Sequence, residues 1–166
     1  MTGWTIRDAT PGDAPAIVAL VHRFNREDGN PPGALTEADF RALGFGARPR
    51  FRTLLAEAAG QVRGYALFYP SYDTEFGAKG FYLQDLYVLP EARRGGIGRA
   101  LMAAVARACD ADGGCYLFWN ALERNQAGRA FYRRIGAREE PVVTLSLQPD
   151  ALRRLADEAY SDPAMF

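Results

Sequence analysis

Apolar and polar positions alternate over residues 4–7, which predicts a short opening strand. Thr10-Pro11-Gly12-Asp13 then predicts a helix start: Thr10 can cap it, Pro11 suits a first turn and Asp13 can reach back to Thr10. Ile17, Leu20, Val21 and Phe24 recur at helical spacing, and Gly29-Asn30-Pro31-Pro32-Gly33 cannot continue a helix. Thr36 caps a shorter helix that ends near Gly44. Residues 51–57 and 62–70 predict a hairpin around Ala58-Ala59-Gly60-Gln61, followed by a polar loop over 71–80. Aromatic and branched residues over 81–89 predict a third long strand, closed by Pro90. A glycine-rich turn leads into a helix over about 98–109, with Ile97, Leu101, Val105 and Ala108 on one face. A strand over 116–120, a helix over 126–135 stopped by Gly136, a strand over 141–147 and a helix over 149–159 complete the pattern.

The resulting order, β-α-α-β-β-β-α-β-α-β-α, has no linker, repeat or low-complexity tract. It predicts one α/β domain of the α+β kind over residues 1–166, with hairpins first and a βαβ crossover later. At 48% hydrophobic and 24% charged residues, the composition is that of a globular protein and excludes disorder and coiled coil. Twenty basic residues balance twenty acidic ones, so no basic field is available for a nucleic-acid partner. The first residues carry no apolar run of signal-peptide length and no stretch approaches a membrane span, so a cytoplasmic protein without a membrane partner is expected. Cys109 and Cys115 have neither a disulfide pattern nor a zinc spacing; two buried thiols and no metal are expected. His22 is the single histidine and no G-x-S-x-G occurs, which removes the usual serine-nucleophile constellation.

The sharpest chemical feature runs through Arg93-Arg94-Gly95-Gly96-Ile97-Gly98-Arg99. A strand ends, glycines turn the chain and a helix begins. Glycines allow close approach of the backbone to an anion, and the free N–H groups of a helix start point at it. Arginines on both sides suit a pyrophosphate. The stretch satisfies neither G-x-G-x-x-G, since Leu101 stands at the third glycine, nor the G-K-[ST] ending of a triphosphate loop. Further on, Asn125 and Tyr132 lie seven residues apart at helical spacing and share one face, with Gly128 between them; Ala127, Phe131 and Ile135 take the other side, toward the core.

Arg93-x-x-Gly96-x-Gly98 and Asn125-x-x-x-x-Ala130-Phe131-Tyr132-x-x-x-Gly136-Ala137 resemble the two signature blocks of the GNAT N-acetyltransferase superfamily. Tyr82-Leu83-Gln84-Asp85-Leu86-Tyr87-Val88, Gly64-Tyr65-Ala66, Tyr72-Asp73 and Gly44-Phe45-Gly46 extend the resemblance to the diamine (spermidine/spermine) acetyltransferase group over nearly the whole chain. The resemblance implies the GNAT fold, with a mixed central sheet of six to seven strands flanked by helices. It also implies transfer from acetyl-CoA to a primary amine of a small molecule: a diamine, a polyamine or a lysine-like amino acid. Acetylation of an antibiotic or a protein N-terminus, or a non-catalytic acetyl-CoA-binding module, are the alternatives. By the same resemblance, bulged backbone near Leu86, Tyr87 and Val88 lines the pantetheine, and Arg93, Arg94, Gly95, Gly96, Ile97, Gly98 and Arg99 hold the pyrophosphate. Asn125 and Tyr132 also contact the cofactor, and Tyr132 protonates the leaving thiolate. The group is homodimeric, and residues 141–159 are the expected dimer-forming pieces. This chain departs from the group at Gln84, where the polyamine enzymes carry a glutamate that takes the amine's proton. Asp85 is the neighbouring carboxylate, on the opposite strand face unless a bulge intervenes. Asn30 and Pro31 also replace two acids of the group, leaving Glu27, Asp28, Asp73 and Glu75 as candidates to hold a cationic acceptor.

Overall fold

The computed structural model describes residues 3–75 and 77–161 and contains two compact units, Met1–Asn125 and Gln126–Phe166. The first is built on a sheet of order β1 (Thr5–Asp8), β2 (Arg52–Ala58), β3 (Gln61–Asp73), β4 (Ala78–Val88), β5 (Tyr116–Phe118). The first four strands pair antiparallel in chain order, and β5 joins β4 in parallel after a helical crossover.

The helices follow their sequence signals. Asp13 accepts from the Thr10 backbone N–H (2.7 Å) and hydroxyl (2.8 Å), closing a tight turn that leads into α1 (Ala14–Glu27). The Asp39 backbone N–H donates to the Thr36 hydroxyl at 3.1 Å, which opens α2 (Glu37–Phe45). Ile17, Leu20 and Val21 of α1 and Phe40 of α2 share one core with Leu55, Tyr65, Leu67 and Tyr87 of the sheet. Strand periodicity sends Leu54, Ala66, Phe68 and Leu83 to the other face, where α3 (Ile97–Ala111) packs along β2, β3 and β4. Tyr65, Phe68, Ile17, Leu55, Leu101 and Val105 are fully enclosed, each burial contributing roughly 1.5–3 kcal/mol.

The second unit contains α4 (Gln126–Arg134) and α5 (Pro149–Ser161). Gly136, at φ +99°, closes α4, and Glu139 ion-pairs with both Arg129 and Arg133 at 2.8 Å.

Several expectations need correction. The sheet has five strands among the described residues, not six to seven. Residues 141–147 alternate as a strand should, yet form none: Val143 and Leu145 are 85% and 86% exposed. Alternation selects a face, but a strand also needs a partner for its backbone groups. The polar loop expected over 71–80 is shorter, because pairing of β3 with β4 continues out to Asp73 and Ala78. No residue of α4 is fully buried, contrary to the core face expected: Ala127 is exposed, and Phe131 and the following Ile135 are half-buried. Only Cys109 is a buried thiol; Cys115 is exposed.

Candidate active site

Strand β4 carries the central irregularity. Leu67 of β3 pairs with Asp85 and Phe68 with Leu83, so Gln84 is an extra residue on β4. Tyr65, Leu67 and Tyr69 share one face of β3, and their partners are Tyr87, Asp85 and Tyr82. The bulge therefore turns Asp85 onto the same face as Tyr82, the side covered farther along by α1. Without it Asp85 and Tyr82, three residues apart, would lie on opposite faces. The bulge lies at Gln84 and not at Leu86, Tyr87 and Val88, whose register against β3 is regular. Along the other edge of β4, β5 pairs only with Gly80, Phe81 and Tyr82. A Cβ on Gly80 would stand 2.5 Å from the Tyr116 carbonyl oxygen, so glycine permits this close approach. Beyond Tyr82, the edge of residues 83–88 away from β3 has no strand partner among the described residues.

Asp85 is half-buried and its Oδ2 accepts from the Tyr65 hydroxyl at 3.0 Å. Burial pushes its pKa up, the Tyr65 bond opposes this and the charge of Asp28 adds to the rise. Gln84 is exposed. Tyr82 stacks on Tyr69 with centroids 5.2 Å apart and meets Phe118 at 5.5 Å, giving an aromatic wall on the same face. Asp28 caps the end of α1.

Glu27 is engaged elsewhere. Its Oε1 accepts from the Tyr87 hydroxyl at 2.5 Å and its Oε2 from Arg93 at 2.6 Å. Desolvation pushes the Glu27 carboxyl up, but the bonds from Tyr87 and Arg93 outweigh it and its pKa lies below the ordinary value. Burial and the bond to Glu27 push the Tyr87 hydroxyl up to about 12. Arg93 also donates to the Val88 carbonyl at 2.8 Å and lies over the Tyr87 ring. Glu27, Tyr87 and Arg93 together tie the end of α1 to the exit of β4. Leu86 and Val88 flank the buried Tyr87 and are half-buried. Asp73 and Glu75 sit at the tip of the β3–β4 hairpin, where the Glu75 N–H donates to Asp73 at 2.9 Å. Asp73 lies six positions along β3 from Leu67, the partner of Asp85, roughly 20 Å of strand. The structure thus brings Asp28 into range of Asp85 and ties the neighbouring Glu27 to Tyr87 and Arg93, while Asp73 and Glu75 stand apart at the hairpin tip.

After β4 the chain enters the glycine turn. Gly96 precedes α3 at φ +86° and Arg94 takes φ +65°, a conformation uncommon outside glycine. No side chain caps α3 at Gly96, and Ala100 is the first residue bonded back to the Gly96 carbonyl. The N–H groups of Ile97, Gly98 and Arg99 therefore have no acceptor inside the helix, and the dipole of the 15-residue helix adds positive potential there. Arg94, Gly95, Gly96 and Arg99 are exposed, Gly98 is half-buried and the Ile97 side chain enters the core. Trp4, which sequence reasoning passed over, donates from Nε1 to the Gly95 carbonyl at 3.1 Å and braces the turn. A lone tryptophan in an opening strand gives no signal of such a contact 91 residues away.

In the second unit, half-buried Tyr132 lies on α4. Asn125 immediately precedes that helix instead of lying on it.

Comparison with known proteins gives one family and one fold. The sequence profile described as "Acetyltransferase (GNAT) family" matches residues 17–137. Thialysine N-epsilon-acetyltransferase of Sus scrofa is 34% identical over 94% of this chain and 99% of its own. L-ornithine N5-acetyltransferase of Arabidopsis thaliana is 33% identical over 46% of this chain and 33% of its own. Among solved structures, an integron cassette protein from the mobile metagenome of V. cholerae superposes with a TM-score of 0.78 at 22% identity, covering 94% of this chain and 99% of its own.

Proposed function

Because the chain belongs to the acetyltransferase (GNAT) family and is an N-acetyltransferase, we propose that it transfers the acetyl group of acetyl-CoA to the primary amine of a small cationic acceptor: a diamine, a polyamine or a lysine-like amino acid. The observation that carries this reading is the bulge at Gln84, which turns Asp85 onto the face that bears Tyr82 and the aromatic wall. A half-buried carboxylate with a second acid in range suits an ammonium group and not a neutral or anionic acceptor. The relatives named above support the acceptor class, since both are named for acetylating a side-chain nitrogen of an amino acid.

The residues fit acetyl-CoA as co-substrate. The N–H groups of Ile97, Gly98 and Arg99, with Arg94 and the Gly95-Gly96 turn, receive the pyrophosphate. The strand-free edge of β4 along Leu86, Tyr87 and Val88 offers backbone groups to the pantetheine arm and to the thioester carbonyl. Arg93 holds this exit in shape through Glu27 and Val88. The acceptor ammonium gives up one proton, its nitrogen lone pair attacks the thioester carbon, the C–S bond breaks and the nitrogen gives up a second proton. An N-acetyl amine and a thiolate result, the thiolate takes a proton, and one proton is released overall. We assign proton removal to Asp85, with exposed Gln84 orienting the acceptor or a bridging water. Tyr132, with Asn125 beside its helix, takes the role of protonating the thiolate, on the strength of the signature match. Glu27 acts mainly by holding Tyr87 and Arg93, while Asp28 draws the cation; Asp73 and Glu75 would meet only the far end of a long acceptor. Residues 1–166 work as one catalytic domain, a reading supported by a profile match that runs across both compact units. The enzyme acts as a homodimer in the cytoplasm; no helix of the described residues is long and apolar enough to cross a membrane.

The test is an acetyl-acceptor screen with purified protein, read by mass, over diamines, polyamines, diamino acids, aminoglycosides and peptides. Acetylation confined to a side-chain or terminal primary amine of a small cation is expected. Transfer only to peptide N-termini or aminoglycosides would refute the acceptor class.

A further inference from the structure

The segment between β5 and α4 is fastened at two points, one on Tyr82 and one on Asp28. Asn120 Nδ2 donates to the Tyr82 hydroxyl at 3.2 Å, at the aromatic wall. Four residues on, Arg124 Nη2 donates to the Asp28 carbonyl at 2.5 Å. Asp28 thus has a guanidinium on its backbone, while its carboxylate is near enough to act on the charge of Asp85. Arg124 is exposed. A guanidinium carries five N–H donors in one plane; the bond to Asp28 uses one and restrains that plane. The remaining fork matches a carboxylate, which can accept two parallel bonds from it.

Two acids and one arginine therefore sit around a single helix end, and this arrangement distinguishes the possible acceptors. A diamine or polyamine presents only positive charge and would be repelled by Arg124. A diamino acid in its zwitterionic form presents an ammonium at one end and a carboxylate at the other, with an apolar stem suited to the Tyr82–Tyr69 wall. Resting on the acceptor reading given above, we propose that Arg124 binds the α-carboxylate of an amino-acid acceptor whose side-chain amine is directed to Asp85, making Arg124 the residue that selects a diamino acid over a diamine.

L-lysine and cadaverine differ only by the carboxylate and form the matched pair for the test. Arg124→Gln removes the charge but keeps an N–H donor for the Asp28 carbonyl, and Arg124→Lys keeps the charge without the planar fork. Wild-type kcat/KM is expected to favour lysine. In R124Q the lysine-to-cadaverine ratio of kcat/KM should fall by at least about tenfold, chiefly through KM for lysine, with R124K intermediate. A ratio unchanged in R124Q, both acceptors falling together, would reduce Arg124 to a brace for its loop and overturn the assignment while leaving the acceptor reading intact. A wild type that prefers cadaverine would do the same. Transfer to neither amine would overturn the assignment, and absence of transfer to every diamine, polyamine and diamino acid of the acceptor screen would overturn both.

Discussion

At the scale of single residues, the decisive question is where the acceptor's proton goes. A lysine-like amine has a pKa near 10.4, so at pH 7 only about one molecule in 2,500 is neutral and nucleophilic. The Gln84 amide cannot take that proton. Asp85 can, and burial makes it a stronger base than a solvated aspartate. Because its pKa is raised, the activity it supports exists above that pKa and is lost as pH falls through it. Asp85→Asn keeps the oxygen that accepts from Tyr65 and should lower kcat/KM at pH 7 by about tenfold or more, with a smaller loss near pH 9.5, where neutral amine is plentiful. Gln84→Glu should act in the opposite sense, raising kcat/KM toward a high-pKa amine at about pH 7 more than at about pH 9.5. Pre-steady-state transfer at both pH values is the proper readout, since slow product release would hide either change. An Asp85→Asn loss of equal size at both pH values would make Asp85 a positioning group.

At the scale of elements, the turn before α3 combines a backbone requirement with a chemical one. Gly96 at φ +86° lies where an L side chain costs roughly 1–2 kcal/mol. The same residue borders the uncapped N–H groups of Ile97, Gly98 and Arg99. Gly96→Asp should therefore do two separable things. It should lower unfolding free energy in urea by about 1–2 kcal/mol. It should also weaken acetyl-CoA by at least about tenfold in calorimetry, because the carboxylate competes for the helix start and repels the pyrophosphate. Gly96→Ala carries the backbone cost without the charge and separates the two effects. Unchanged affinity in a folded G96D protein would remove this turn from the pyrophosphate site.

At the scale of the molecule, the second unit exposes an apolar run. Val142, Val143, Leu145 and Leu147, followed by Leu152 and Leu155 of α5, are all more than half exposed. A soluble monomer seldom leaves so many branched side chains together in water. Residues 141–147 also have strand alternation without a strand partner among the described residues, which fits burial against a second copy. Light scattering should give twice the chain mass for the wild type. Leu145→Asp places a charge within that run and should shift the protein toward the monomer. A monomeric wild type would remove the dimer from the reading.

The order of elements through α4, the caps at Thr10 and Thr36, the glycine turn and the two signature blocks were legible in the sequence because each is a local property: spacing, capping chemistry or permitted φ. What tertiary structure decided was non-local. The bulge at Gln84 exists only as a mismatch in register between β3 and β4, and it alone puts Asp85 on the side of the sheet where Tyr82 and Tyr69 stand. Glu27 reads in the sequence as a loop acid available to a cation, yet the fold spends it on Tyr87 and Arg93, sixty and more residues away. Arg124 and Trp4 carried no local signal, because their partners, Asp28 and Gly95, are reached only once the sheet has formed. Residues 141–147 mark the opposite limit. Their alternation is encoded locally, but a strand forms only when a second backbone lies beside it to take up its N–H and C=O groups.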